Sequence, residues 1–509
     1  MATSDDEGYE LYDEDEPMQT ESPAEQAMEH SEEEDDNDEQ QQEPKDFAKM
    51  LGDVSTAIPE RGAVPPSICE VPEDLAEGNK AAYIPKVVCI GPLFDSLRGT
   101  ASMLRLERYK WRCVRKLIVG RVPAGPTTTM EPAWSAEVHA PVLRRCFNRM
   151  VRLVPRIRAS YGTVSSSSGG GGGMNGDDEK LALHMLLDGC FILHRLLKYA
   201  RPENGGGDRD DWSLLFGRCW VWGTVKRDLL LLSNQVPFVV VRKLFKLLVG
   251  EGSGGEDVLV AGGLNLLSSL HPRPLHSAPI DCRGVHHLLH LLYLSIDLPP
   301  SQQPRRQHQH LPPSELTRWV PCAKELEEAG VKLKPRATNK AKSFLDVGFR
   351  GGVLEIPPLR LFDYSEPLFR NLIAFEQTYP ATASRVTAYA IFMGCLVKTP
   401  DDVRILHRRG VLENHMNGAG RDDDSALVGF FAGLCAEAHT SADRDHLATV
   451  MVEVVRYQSG RWPQWRAALK RDYFSNPWAI AAVVAAATGL ALTVLQTFYS
   501  VYTYYKPPQ

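Results

Sequence analysis

The sequence predicts a mainly α protein: a large helical cytosolic domain with a small β-hairpin element, followed by one C-terminal transmembrane helix. Three observations support this. Apolar residues recur at helical spacing through most of the chain, strict alternation occurs once, around a glycine pair, and one long apolar run stands near the end.

The first element is not helical. Met1 to Pro44 hold 19 of the 64 acidic residues and no Lys or Arg, leaving 57 basic against 45 acidic residues in the rest. Residues 1–46 therefore read as a disordered acidic tail, too poor in large apolar side chains to offset chain entropy. The chain's net charge of -7 describes neither part. The body, 47–472, is one helical domain interrupted by low-complexity insertions near 165–176 ("SSSSGGGGGMNG"), 250–257 ("GEGSGGED") and 299–313.

Within the body, "LRLERYKWRCVRKLI" sets Leu104, Trp111, Val114 and Ile118 at helical spacing, with Arg105, Arg108, Arg112 and Arg115 largely elsewhere. This is an amphipathic helix whose basic face reads as solvated. "KLALHMLLDGCFILHRLLKYA" is apolar nearly all round and reads as buried. In "SNQVPFVVVRKLFKLLVG" Pro237 suits a first helical turn, Phe238 to Leu248 carry one stripe, and Gly250 stops the helix. Asn234 and Gln235 sit between two apolar segments, where their amides are expected to satisfy backbone groups. In "SFLDVGFRGGVLEI", Val347 and Phe349 alternate before Gly351-Gly352, and Leu354 and Ile356 after them, as in a hairpin. Helical pattern then resumes, with Thr399-Pro400-Asp401-Asp402 as a helix start.

Catalytic signatures are weak. His286 and His290 in "GVHHLLHLL" are four apart, the spacing of a helical metal pair, but His287 fills the place of a general-base glutamate and only Asp281 or Cys282 offers a third ligand. "GEGSGG" has the glycine spacing of a dinucleotide loop but follows a helical pattern where a strand is required. The ten cysteines form no C-x-x-C pair and no Asn-x-Ser/Thr acceptor occurs, as suits a reduced, unglycosylated body. The reading assigns no catalytic, cofactor-binding or metal residues, no cofactor, no small-molecule substrate and no nucleic-acid partner.

The anchor covers 473–505. Trp478 to Leu495 is an apolar run of about 27 Å as a helix, extendable to Tyr499, enough for a hydrocarbon core of about 30 Å. Tyr473, Phe474 and Trp478 before it, and Phe498 to Tyr505 after it, read as aromatic belts. Arg456, Arg461, Arg466, Lys470 and Arg471 against Lys506 alone place the body in the cytoplasm. Residues 506–509 are a short stub, which implies insertion as a tail anchor. Ala481, Ala485 and Gly489 give a small-residue face for self-association.

The ordered blocks "CIGPLF", "ERYKWRCVRKLI", "MLLDGCFILHRLL", "DLLLLSNQVPF", "HHLLHLL", "SFLDVGFRGGVLEIPPL", "DDVRILHRRGVL" and "RDYFSNPWAIAAVVAA" resemble the plant DUF247 family, also called UPF0481, from about Ile84 onward. Leu93-Phe94 stands where the family has Tyr-His, and His194 stands near a position that is commonly acidic. The resemblance implies a plant membrane protein with one C-terminal helix, lacks an assigned activity, and links some relatives to grass self-incompatibility. The expectation is thus a single-pass membrane protein whose body recognises other proteins. The rival is a membrane-tethered enzyme using His286 and His290.

Overall fold

The computed structural model describes residues 65–120, 134–162, 174–200, 220–250, 255–268, 279–297, 319–337, 340–341, 343–416, 424–436, 445–460 and 477–505. The acidic tail, the 299–313 insertion, most of the other two insertions, the collar residues Arg461 to Phe474 and the stub lie outside them. The described body begins at Pro65, and its buried apolar residues form one continuous core.

The helices are α1 (Glu73–Ala76), α2 (Ala101–Val119), α3 (Ala136–Arg158), α4 (Met174–Ala200), α5 (Trp220–Asp228), α6 (Phe238–Leu248), α7 (Asp257–Leu267) and α8 (Leu288–Ile296) in the first half. Then come α9 (Ala323–Glu328), strands β1 (Lys332–Pro335), β2 (Gly348–Arg350), β3 (Val353–Ile356) and β4 (Leu359–Leu361), α10 (Ser365–Thr378), α11 (Arg385–Leu396) and α12 (Pro400–Arg408). Strand β5 (Leu412–Asn414), α13 (Asp424–Cys435), α14 (Ala448–Gln458) and α15 (Pro477–Tyr505) complete the order.

The all-round apolar segment is α4, and α2, α3, α6 and α7 pack about it. Its Leu186, Cys190, Phe191, Leu193 and Leu196 are sealed from water. A helix without a polar face needs such neighbours on every side. In the second half α13 packs on α10, α11 and α12. Pro237 caps α6 and Gly250, at φ 90°, follows its end, as the stripe from Phe238 predicts.

The apolar stripe of α2 is rotated from its expected position. Leu104 and Trp111 are 46% and 47% exposed, while Leu106, Tyr109, Lys110, Cys113, Val114 and Ile118 are buried. Counting Lys110 as polar shifts the periodicity to the wrong face; its ammonium is in fact buried and paired. Arg105, Arg108, Arg112 and Arg115 are exposed, as the solvated-face reading expects.

The hairpin forms as β2–β3, with Phe349 opposite Leu354 and Gly351 and Gly352 at φ 57° and 79° in the turn, backbone that a side chain would strain. It does not stand alone. Strand β1 adds to β3 in parallel, and β4 pairs with β5 in parallel as a second small sheet. These strands pair with partners distant in sequence, with no glycine turn to announce them.

The apolar run becomes α15, which continues through the tyrosines to Tyr505. Ala481–Tyr502 is long and apolar enough to cross a membrane, with mean hydropathy 1.8, and none of it is buried.

Candidate functional site

His286 and His290 do not lie on one helix face. Helix α8 begins only at Leu288, with His287 as its cap, so His286 precedes it in an extended approach. The rings of His286 and His290 stack at 4.7 Å, and each has a structural task. The Nδ1 of His290 accepts the His286 backbone N–H at 3.2 Å, and the Nδ1 of His287 accepts the His290 N–H at 3.2 Å. The His287 Nε2–H donates to the Ser67 carbonyl at 3.0 Å, and His286 Nε2 meets the Tyr379 hydroxyl at 2.9 Å.

Burial lowers all three rings: His286 below the ordinary imidazole range, His287 well below it, and His290 to about 3, the last two also repelled by neighbouring rings. They stand as neutral hydrogen-bonding groups. Among the described residues no group of three His, Cys, Asp or Glu is placed to hold a metal ion. Asp281 instead caps a short turn by accepting the Arg283 N–H at 2.9 Å, and Cys282 is buried, which pushes its thiol up to about 12. The GxGxxG-like stretch lies largely outside the described residues. The nine cysteines among them are all free.

Three buried polar constellations organise the body. The first surrounds Asp188 on α4. Its Oδ2 receives Arg98 at 2.6 Å and the Gly91 N–H at 2.9 Å, while Lys110 reaches Oδ1 at 2.6 Å. Glu107 binds the same two cations, Lys110 at 2.6 Å and Arg98 at 3.0 Å. Arg98 also meets Asp95 at 3.4 Å, so the two cations face three carboxylates, of which Asp188 is fully buried. Burial pushes the Asp188 carboxyl up, but Arg98 and Lys110 outweigh it and hold it at about 2. Gly91 is required here: at φ 72° it presents its N–H to Asp188, and a Cβ would lie 2.4 Å from the Gln235 carbonyl oxygen.

The second follows α5. Asp228 accepts the N–H groups of Lys86, Val87 and Val88 at 2.9, 2.7 and 3.1 Å. Asn234 donates to the carbonyls of Val88 and Asp228 and accepts from Ile90. Gln235 donates to the Leu229 and Leu231 carbonyls and accepts from Leu289. Both amides do what the sequence leads one to expect: they satisfy a non-helical turn inside the core.

The third is Glu376 on α10, whose oxygens receive the N–H groups of Val386 and Thr387 at 2.9 and 2.7 Å and the Thr387 hydroxyl at 2.6 Å. Desolvation dominates over these bonds and raises its carboxyl to about 7. None of Asp188, Asp228 and Glu376 was singled out by spacing. The available signal is a lone acid in an apolar run, as in "MLLDGCFIL", which requires an unseen partner.

These constellations bind the chain to itself. Solvent meets a different set: the arginines of α2 with Trp111, and a basic concavity between α3 and α6.

No solved structure matches the chain. It is 27% identical over 462 residues to UPF0481 protein At3g47200 of Arabidopsis thaliana, covering 86% of each chain. It is 28% identical over 189 residues to Putative UPF0481 protein At3g02645 of the same plant, covering 37% of this chain and 34% of that one. The family model described as "Plant protein of unknown function", DUF247, matches residues 68–492, the span that contains the Asp188, Asp228 and Glu376 constellations and most of α15, and the chain belongs to this plant family.

Proposed function

We propose that this is a single-pass membrane protein whose helical body faces the cytoplasm and recognises other proteins, with α15 as its anchor. The observation that carries the reading is the apolar window Ala481–Tyr502, which has no buried share. Leaving each such Leu, Val or Ile side chain in water forfeits about 1.5 to 3 kcal/mol, so an apolar medium is its natural surrounding. Its length, about 33 Å at helical rise, matches a hydrocarbon core. A binding role rather than turnover is supported by how the buried polar groups around Asp188, Asp228 and Glu376 are used: their donors and acceptors go to backbone and to one another. Exposed Trp111 and Trp134 offer the residue type that dominates recognition surfaces.

Topology is tested with N-linked acceptors in the full chain. One added after Tyr505 is expected to be glycosylated and one within 165–173 to remain unmodified; the reverse pattern refutes the orientation. Recognition is tested by capture from plant membranes, comparing the full chain with one ending at Asn476 and with Trp111→Ala. A partner that binds the purified wild-type body and is weakened by Trp111→Ala supports the reading. Self-association through Ala481, Ala485 and Gly489 belongs to the same proposal, and Gly489→Leu is expected to abolish proximity between two labelled copies in bilayers.

A further inference from the structure

We propose that the concavity between α3 and α6 is a binding site for a compact ligand bearing several phosphate groups, of the inositol polyphosphate class. Six cations line it: Arg144, Arg145, Arg149 and Arg152 from one face of α3, and Lys243 and Lys246 from α6. Among the described residues no acidic side chain is in that lining, and its volume is about 550 Å³, within the usual range for small-molecule sites of roughly 300 to 1,000 Å³. A described carboxylate does reach this lining: Glu256 is bound to Arg242 at 2.5 Å and to Lys246 at 3.1 Å. Among the described residues, Arg144, Arg145, Arg149, Arg152 and Lys243 have no carboxylate partner.

The arrangement is costly without an anion. Lys243 is lowered from the ordinary lysine range, first by desolvation and then by Arg149, Lys246, Arg242 and Arg156, so the cations are close enough to oppose one another. Like charges brought together by two helices nearly 100 residues apart in sequence are a feature of tertiary structure, not of one charged run. The exposed arginines of α2 provide the contrast. They sit on a single helix's outer face, whereas the α3–α6 cations converge on a hollow. Arginine forks suit phosphate oxygens two at a time, and several phosphates on a small ring would neutralise most of the six charges at once. A compact group of phosphates can touch cations of both helices at once across this solvent-open concavity.

The test uses the full chain in detergent and inositol hexakisphosphate as the probe, with affinity read by calorimetry. Binding is expected, and Arg149→Glu with Lys243→Glu is expected to weaken it by at least about tenfold. Arg108→Glu with Arg112→Glu, which places the same charge change on α2, is expected to alter it less than about twofold. Arg145→Gln with Arg152→Gln, a milder change in the same hollow, guards against a folding defect and is expected to give an intermediate loss at an unchanged melting temperature. Absence of binding at low salt, equal losses from the α2 and α3–α6 variants, or displacement by polyglutamate as readily as by unlabelled probe would each overturn the proposal. Two further arms assign the source. Displacement of probe in nanodiscs containing phosphatidylinositol 4,5-bisphosphate, but not in phosphatidylcholine alone, supports a lipid headgroup at this site. Equal probe binding in both, still lost with Arg149→Glu and Lys243→Glu, supports a free ligand.

Discussion

Asp188 on α4 and Glu376 on α10 are both withdrawn from water, 0% and 4% exposed, each in a helix that organises its half of the body. The two halves satisfy their acid differently. Asp188 is met by cations brought from 78 and 90 residues away, Lys110 and Arg98. Glu376 is met by neutral N–H and O–H groups 10 and 11 residues downstream. The first solution fixes a long-range meeting of the loop at Gly91, α2 and α4 and keeps the acid ionised. The second caps a local turn into α11 and leaves the acid balanced near neutrality. Burial alone therefore does not set an acid's state; the charge of its partners does.

The comparison is broken most severely at Asp188. Asp188→Asn removes the one fully buried carboxylate of the three and leaves Arg98 to Glu107 and Asp95 and Lys110 to Glu107, and a loss of about 3 to 5 kcal/mol in denaturant unfolding is expected. Pairing Asp188→Leu with Lys110→Met, which leaves Arg98 to Glu107 and Asp95, is expected to recover more than half of that loss. The pH signature is on the acid side. The folded pKa of about 2 lies below the unfolded value, so this stability is present above about pH 4 and lost as pH falls toward 2.

Glu376 has the opposite sign. Its folded pKa of about 7 lies above the unfolded value near 4.5, so its contribution is present below about pH 4.5 and is lost as pH rises through 7, by up to about 3 kcal/mol. Glu376→Gln is expected to cost about 1 to 3 kcal/mol at pH 5 and to remove that slope, as read by thermal unfolding at pH 5 and pH 8.

The histidines run against it. His290, lowered to about 3, contributes stability above the unfolded pKa near 6.5 that is lost as pH falls, amounting to about 2 kcal/mol at pH 5. His290→Asn keeps an acceptor beside the His286 N–H and is expected to make the acid limb shallower by the His290 share, while His286 and His287 keep theirs. Variants at 376 and 290 together are expected to lose the alkaline slope and to keep a reduced acid one.

The two halves also differed in how much the sequence disclosed. The hairpin glycines and the α6 proline are legible because each acts on backbone within a few residues, and Asn234 and Gln235 because part of their bonding, to the Asp228, Leu229 and Leu231 carbonyls, is equally local. Asp188 was legible only as a question, since an apolar run shows that an acid needs a partner and cannot show which cation arrives. Lys110 misled for the same reason: a residue whose charge is neutralised at long range looks polar to any periodicity, and the α2 stripe was misplaced by it. The four-residue spacing of His286 and His290 makes a helical pair only if one helix covers both, and α8 starts after the first. The basic hollow was illegible, since α3 and α6 meet only in the fold.

Asp402 offers a third acid against which to sharpen the contrast, and the smallest effect. It is buried like Asp188 but satisfied by neutral groups like Glu376, accepting the nearby Thr399 N–H and hydroxyl, each at 2.8 Å, and the distant Lys324 backbone N–H at 2.8 Å. Thr399 returns the bond by accepting the Asp402 N–H at 3.4 Å, which closes the capping box of α12. If local satisfaction by neutral groups is the weaker dependence, removing one member should cost little. Thr399→Ala is expected to lower stability by about 1 kcal/mol, and Thr399→Ser, which keeps the hydroxyl, to restore all but a few tenths, both read from the denaturant midpoint. A loss at Thr399→Ala as large as that at Asp188→Asn would mean that the buried carboxylate, and not the charge of its partners, sets the cost.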